Sequence, residues 1–340
     1  MKPRVEIHIP ISPTESFFRQ VHYLVVSLRQ RGGILKNSPI IVTVGDDCEP
    51  YDIQRKVPWT REYPIEFRWV PRLLYQKQSY FATGLQRYQY PFQAPFVLFL
   101  DADMGLSRNL DDLLDRAAQD PGFYSVLAYG SPWGNSDLLH VRSDEDWWRE
   151  AFAAASLGEP PFTCEYAGSG VIFDERVRRC PPYFNQGFVL APASMVSALG
   201  SVLSQELEAA TRAAETFYRF QVALTLAIVR QNLPWRAPSI RFNFAPALAD
   251  VFKVMPEEWE DARVLHYFNT AQFAEWFDKN ALIGTPGAME QWLRQPSKTP
   301  VEAYMRQLFF DLHSEVMRGN PDVRTPWWLR FISRPRRIGN

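Results

Sequence analysis

The chain has 340 residues, 46% of them hydrophobic and 14% aromatic, enough for a large buried core. A formal net charge of −1 supplies no basic field for nucleic-acid phosphates, so a general nucleic-acid binder is excluded. Three separated cysteines, Cys48, Cys164 and Cys180, form no C-x-x-C pattern, which argues for a reducing compartment and against structural zinc.

Met1-Lys2-Pro3-Arg4 leads straight into an alternating strand instead of a signal peptide. No apolar run reaches the ~18 residues of a membrane helix, so the sequence reads as soluble and cytoplasmic. Val5, Ile7 and Ile9 alternate with polar neighbours. Ser12-Pro13-Thr14-Glu15 then reads as a capping box with proline at the first helical position. The apolar stripe Phe17, Val21, Leu24, Val25 and Leu28 predicts a helix to about Arg31, stopped by Gly32-Gly33. Ile40 to Val44 is a second buried strand, ending in Gly45-Asp46-Asp47. Strand, helix and strand this close make a βαβ unit and therefore a parallel sheet. Glu15 reads as a cap, and Asp46 and Asp47 as ribose ligands or a solvated turn.

Ile65 to Val70 is a further strand and Tyr80 to Tyr90 a helix. Lys77 and Arg87 bracket that helix, either to reach phosphate or as exposed salt-bridge partners. Phe96-Val-Leu-Phe-Leu100 is an unbroken apolar run of the kind buried on both faces of a parallel sheet. It ends in Asp101-Ala102-Asp103, at the carboxyl end of a central strand, where open α/β sheets bind ligands. Two carboxylates there either cap the next helix, near Asn109, or hold a divalent cation. The position directly after a buried strand favours Mn²⁺ or Mg²⁺.

Asn109 to Ala118 reads as a helix and Tyr124 to Tyr129 as a strand. The pattern loosens from Gly130 to about Pro161, where Trp147-Trp148 follow Asp144-Glu145-Asp146. Paired tryptophans beside acids make either a sugar-stacking platform or the buried face of an amphipathic helix. Tyr183 to Leu190 is a strand with Asn185-Gln186-Gly187 ahead of its apolar end, and glycine in a strand often marks close approach of backbone or ligand. Two helices follow, Pro192 to Ala210 and Glu215 to Asn232, the second with Gln221 entering an apolar run. Ala262 to Tyr267 is a last strand carrying His266, and helices over Ala271 to Asp278 and Val301 to Arg318 complete the chain. The tail Pro326 to Arg337 mixes aromatics with four arginines, suited either to an anionic membrane surface or to packing on the body.

From Val5 to Tyr267 this order resembles the GT-A nucleotide-sugar transferases, most closely glycosyltransferase family 8. Phe99-Leu100-Asp101-Ala102-Asp103 resembles that family's metal-binding D-x-D. Ser79-Tyr80, Leu85 and Tyr88 resemble its preceding helix, with Ser79 in place of a basic residue that Lys77 is the candidate to replace. Phe184-Asn185-Gln186-Gly187-Phe188 resembles its F-N-x-G strand, whose asparagine lines the donor-sugar pocket. Phe220-Gln221-Val222-Ala223-Leu224 resembles its D-Q-D-x-L helix with only the glutamine kept. Val264-Leu265-His266-Tyr267 resembles the strand bearing the third metal ligand. The family's lysine-proline-tryptophan, which touches the pyrophosphate, is not evident after His266.

The resemblance implies an α/β GT-A (Rossmann-like) fold: a mixed, mostly parallel sheet flanked by helices, with a helical C-terminal region. It divides the chain into a catalytic domain over 1–270, with a variable acceptor-side insertion at 130–182, and C-terminal helices and tail over 271–340. It implies a retaining, metal-dependent transfer of sugar from a UDP-linked donor to a saccharide or glycolipid acceptor. Asp101, Asp103 and His266 would hold Mn²⁺ or Mg²⁺, Asn185 and Gln221 would orient the donor sugar, and Ser12, Thr14, Asp46 and Lys77 would line the nucleotide. Two rivals remain from sequence: a D-x-D phosphohydrolase with Asp101 as nucleophile, and a nucleotide-sugar-binding protein without turnover.

Overall fold

The computed structural model describes residues 4–134, 138–168, 179–249, 253–267, 277–285 and 287–318. Eleven strands are formed among these: β1 Val5–Ile11, β2 Ile40–Val44, β3 Ile65–Trp69, β4 Phe96–Leu100, β5 Met104–Leu106, β6 Phe123–Leu127, β7 Cys164–Glu165, β8 Arg179–Cys180, β9 Phe184–Pro192, β10 Trp235–Arg236 and β11 Val264–His266. Seven build one sheet in the order β10-β6-β9-β4-β1-β2-β3. All its pairings are parallel except those of β9, which runs antiparallel between β4 and β6.

Both faces of β4 are covered, as its unbroken apolar run requires. Leu98 and Leu100 pack into the cluster that includes Val21, Leu24 and Leu28 of helix Glu15–Arg31. Val97 and Phe99 pack on the other side, with Leu199 and Leu203 of helix Ala193–Ala213 and Leu226 of helix Arg219–Arg230. Each such side chain contributes about 1.5–3 kcal/mol through burial. A third cluster joins Tyr267 to Phe309 and Leu312 of the C-terminal helix Pro300–Arg318. No helix among the described residues is long and apolar enough to cross a membrane.

Several sequence expectations change. The polar residues alternating along β1 are buried too, because the strand is central: Glu6 accepts from the Gln93 and Ala94 amides at 2.8 and 3.1 Å and pairs with His8 Nε2 at 3.0 Å. Helix Glu15–Arg31 ends where its stripe predicts, but its cap is Thr14, whose hydroxyl accepts from Phe17 N–H. Ser12 is therefore not the cap, and Glu15 lies in the first turn, paired with Arg19. Trp147 and Trp148 are not a sugar platform. They lie buried on helix Asp144–Ala154, with Trp147 donating to Leu138 O and Trp148 to the Tyr166 hydroxyl. The preceding acids occupy that helix's first turn, where the helix dipole favours them. Cys164 and Cys180, far apart in sequence, stand directly opposite in the β7–β8 pair as free, buried thiols. The arginine-rich tail and most of the segment read as helix Ala271 to Asp278 lie outside the described residues.

Candidate active site at the carboxyl end of β4

The chain leaves β4 at Leu100 and turns through Asp101-Ala102-Asp103 into β5. Two backbone pairings fix this turn. Asp101 N–H donates to Gly187 O at 2.9 Å, tying it to β9, and Tyr267 N–H donates to Asp103 O at 2.9 Å. β11 pairs antiparallel with β5 and sets His266 opposite Met104. A histidine 163 positions later in sequence thereby reaches the acid pair, with His266 Nε2 3.3 Å from Asp103 Oδ1. One ligand atom each from Asp101, Asp103 and His266 lie within 4.8 Å of one another.

These residues do not cap the next helix, which begins at Asp111. They fit a hard divalent ion: two carboxylates, partly or wholly buried, and an imidazole whose other nitrogen is already engaged. His266 Nδ1 meets Oδ1 of the buried Asn243 at 2.9 Å. Asn243 thereby fixes the ring so that Nε2 is the nitrogen turned to the carboxylates and the one that would ligate an ion, the orientation typical of metal-binding histidines.

Two cations complete the cluster. Arg87, at the end of helix Phe81–Arg87, is 1% exposed, its Nη1 3.7 Å from Asp101 Oδ1 and its Nη2 donating to Gln186 O at 3.3 Å. The guanidinium also lies over the Phe99 ring at 5.0 Å. Its Nε and Nη1 have no hydrogen-bond acceptor. Lys279, first residue of helix Lys279–Gly284, places its ammonium on Asp103 Oδ2. Burial pushes the Asp101 carboxyl up, against the pull of Arg87. Asp103 is buried as well, but His266 and Lys279 outweigh that penalty and hold its carboxyl well below the usual range.

The sequence candidates divide into those drawn to this cluster and those left at its edges. Asn185 turns its Oδ1 onto Gly187 N–H at 2.8 Å. A Cβ on Gly187 would lie 2.8 Å from Asp101 Oδ2 and 3.0 Å from that same Asn185 oxygen, which explains the glycine in this strand. Gln221 is buried in the first turn of helix Arg219–Arg230, and its Oε1 has no partner. Ser12, Thr14 and Asp46 follow β1 and β2, whose carboxyl ends share the edge of β4 through parallel pairing. Asp46 Oδ1 is occupied by Cys48 N–H, and Asp47 is paired with Arg72.

Lys77 is exposed on helix Arg72–Gln78 and makes no ion pair with either carboxylate among the described residues. Arg87 pairs with Asp101, and it is buried instead of being the exposed salt-bridge partner its polar neighbours suggested. Lys279 gave no sequence signal, since nothing in its spacing from His266 marks it.

This arrangement is the GT-A fold of the nucleotide-sugar glycosyltransferases. Among solved structures, the galactosyltransferase LgtC in complex with donor and acceptor sugar analogs is similar at 16% identity and TM-score 0.50, over 88% of this chain and 99% of that one. An active-site mutant of LgtC is similar at 15% identity and TM-score 0.51, over 96% of this chain and 99% of that one. Mouse xyloside xylosyltransferase 1, apo form, is similar at 14% identity and TM-score 0.49, over 80% and 99%. No protein-family model and no curated protein sequence matches the chain.

Proposed function

We propose that the protein is a metal-dependent glycosyltransferase that moves a sugar from a UDP-linked donor to a saccharide or glycolipid acceptor with retention. The observation that carries this reading is the convergence of Asp101, Asp103 and His266 at the carboxyl end of β4. These three would hold Mn²⁺ or Mg²⁺. A divalent ion held there supplies Lewis-acid neutralisation of the departing nucleoside diphosphate.

The chain's own groups have separable tasks in this reading. Asn243 keeps the His266 ring turned toward Asp103. Arg87 balances Asp101, and its bond to Gln186 O fixes where the guanidinium stands. Asn185 and Gln221 orient the donor sugar, with the Gln221 Oε1 able to accept a sugar hydroxyl once the cleft is filled. Ser12, Thr14 and Asp46 frame the nucleoside. The 130–182 insertion serves the acceptor and the tail over 326–337 a membrane surface.

The phosphohydrolase alternative borrows a motif that opens a different α/β domain, whereas here the strand bearing it is fourth in the chain and the fold is GT-A. Products separate the two chemistries. Incubation with UDP-glucose, UDP-galactose and UDP-xylose in Mn²⁺ is expected to release UDP and no inorganic phosphate from at least one donor. Phosphate release would contradict the transferase reading. Donor binding without UDP release, across these donors and simple sugar acceptors, would favour the binding protein.

A further inference from the structure

Cys164 and Cys180 are 16 positions apart in the chain, and the β7–β8 pair sets them directly opposite each other. Residues opposed in an antiparallel pair have Cα atoms about 4.5–5.5 Å apart, inside the range that a disulfide spans without backbone movement. Both side chains enter one apolar cluster with Trp148, Tyr166 and Tyr183, at 6% and 0% exposure. The pair is not an ion site. Among the described residues no carboxylate or imidazole joins the two sulfurs as a third metal ligand.

The hairpin hangs on the main sheet by both arms. Ala167, three residues beyond Cys164, donates its N–H to Ala128 O at 2.7 Å. Tyr183, three residues beyond Cys180, accepts from Ala128 N–H at 3.0 Å. One residue at the end of β6 thus holds the two arms in register, with the thiols already facing each other.

We infer that Cys164 and Cys180 are a dithiol–disulfide site, closed covalently by exchange with a disulfide oxidant such as oxidised glutathione and reopened by thiols. In a reducing milieu the pair stays as two free thiols. Cys164 is the point of entry, because it alone of the two keeps any exposure. Its thiolate attacks one sulfur of the oxidant and releases one glutathione thiol. Cys180 then gives up its proton, attacks the Cys164 sulfur and releases the second. Two electrons pass from the protein thiols to the oxidant's S–S bond, and both protons end on the released thiols. Burial raises both protein thiols above their usual value, so the thiolate is scarce at pH 7 and closure is slow there. Below those raised values the rate should climb about tenfold per pH unit. The bond ties off a loop of about 15 residues, which restricts the unfolded chain and so favours the folded one. It staples the hairpin that leads into Asn185 and Gly187 of β9.

The test incubates the freshly reduced, folded full chain with oxidised glutathione at pH 8, quenches it in acid and alkylates the remaining thiols with N-ethylmaleimide. Intact mass and peptide mapping should show the loss of two hydrogens and a Cys164–Cys180 cross-link, with the exposed Cys48 outside it. The oxidised chain should melt about 4 °C above the reduced chain. Cys164→Ala and Cys180→Ala should each lose both the cross-link and the thermal difference. The wild type is compared with itself, so the result does not depend on how well the variants fold. A cross-link formed only in denaturant, glutathione adducts without a cross-link, or a bond to Cys48 would overturn the inference. Cross-linking that leaves the melting temperature unchanged would overturn the stapling.

Discussion

Arg87→Met is expected to destabilise the protein by about 1–3 kcal/mol at pH 7 in EDTA, because Arg87 is buried while Asp101, 3.7 Å away and 26% exposed in its side chain, keeps part of its hydration when left uncompensated. Asp101 is the charge left behind. Its carboxyl is already raised by burial, and Arg87 is the first opposing influence. Without the guanidinium its folded-state pKa rises further above the unfolded value, so the folded form holds a proton that the unfolded chain releases. Stability then falls as pH rises through that interval, and the deficit of the variant should be smaller at pH 5 than at pH 7. Asp101→Asn in the same chain should restore most of the loss, since the uncompensated charge is gone. Denaturant unfolding of the two single variants and the double variant checks this directly. A loss below about 1 kcal/mol at pH 7, or no rescue, would show that the pair is not what seats Arg87.

Gly187→Ala carries the second large effect, this time on binding. The residue is in ordinary strand conformation, so alanine brings no backbone strain. The added methyl would stand 2.8 Å from Asp101 Oδ2 and 2.8 Å from Met104 Cε. Both neighbours are side-chain ends and can move, so the fold survives while the Asp101 carboxylate is displaced from its place beside Asp103 and His266. Mn²⁺-dependent UDP affinity should drop by about 10–100-fold, the range seen when a ligand's orientation is disturbed. Gly130 offers the control: a Cβ there meets nothing within 4 Å, so Gly130→Ala should bind as wild type. Equal affinities for Gly187→Ala and wild type would mean that Asp101 does not need its present position.

The elements that could be read from sequence are those whose pattern matches their burial. The β4 run is apolar on both faces because both faces are covered, and the D-x-D follows it directly. Helix Glu15–Arg31 ends at the predicted residue because its stripe and its glycines agree, while its start shifts because Ser12 and Thr14 are equally good caps by type. Trp147 and Trp148 illustrate a composition with two meanings, settled only by what packs above them.

The cations of the site carry no such local signal. Arg87 sits among Gln86, Gln89 and tyrosines, a neighbourhood that reads as surface, and only the packing of its helix over the β4 edge buries it. His266 was accessible through its strand terminus, because a β11–β5 pairing delivers it. Lys279 lies beyond that strand, and its approach to Asp103 depends on the Arg19 anchor from a helix more than 250 positions earlier. No local periodicity carries that kind of information.

The central claim is that Asp101, Asp103 and His266 bind a nucleoside diphosphate through a divalent ion, and calorimetric titration of UDP tests it most directly. UDP should bind the wild type in Mn²⁺, should fail to bind in EDTA, and should fail to bind Asp103→Ala in Mn²⁺. Binding of equal strength in EDTA, or in Asp103→Ala, would contradict the account.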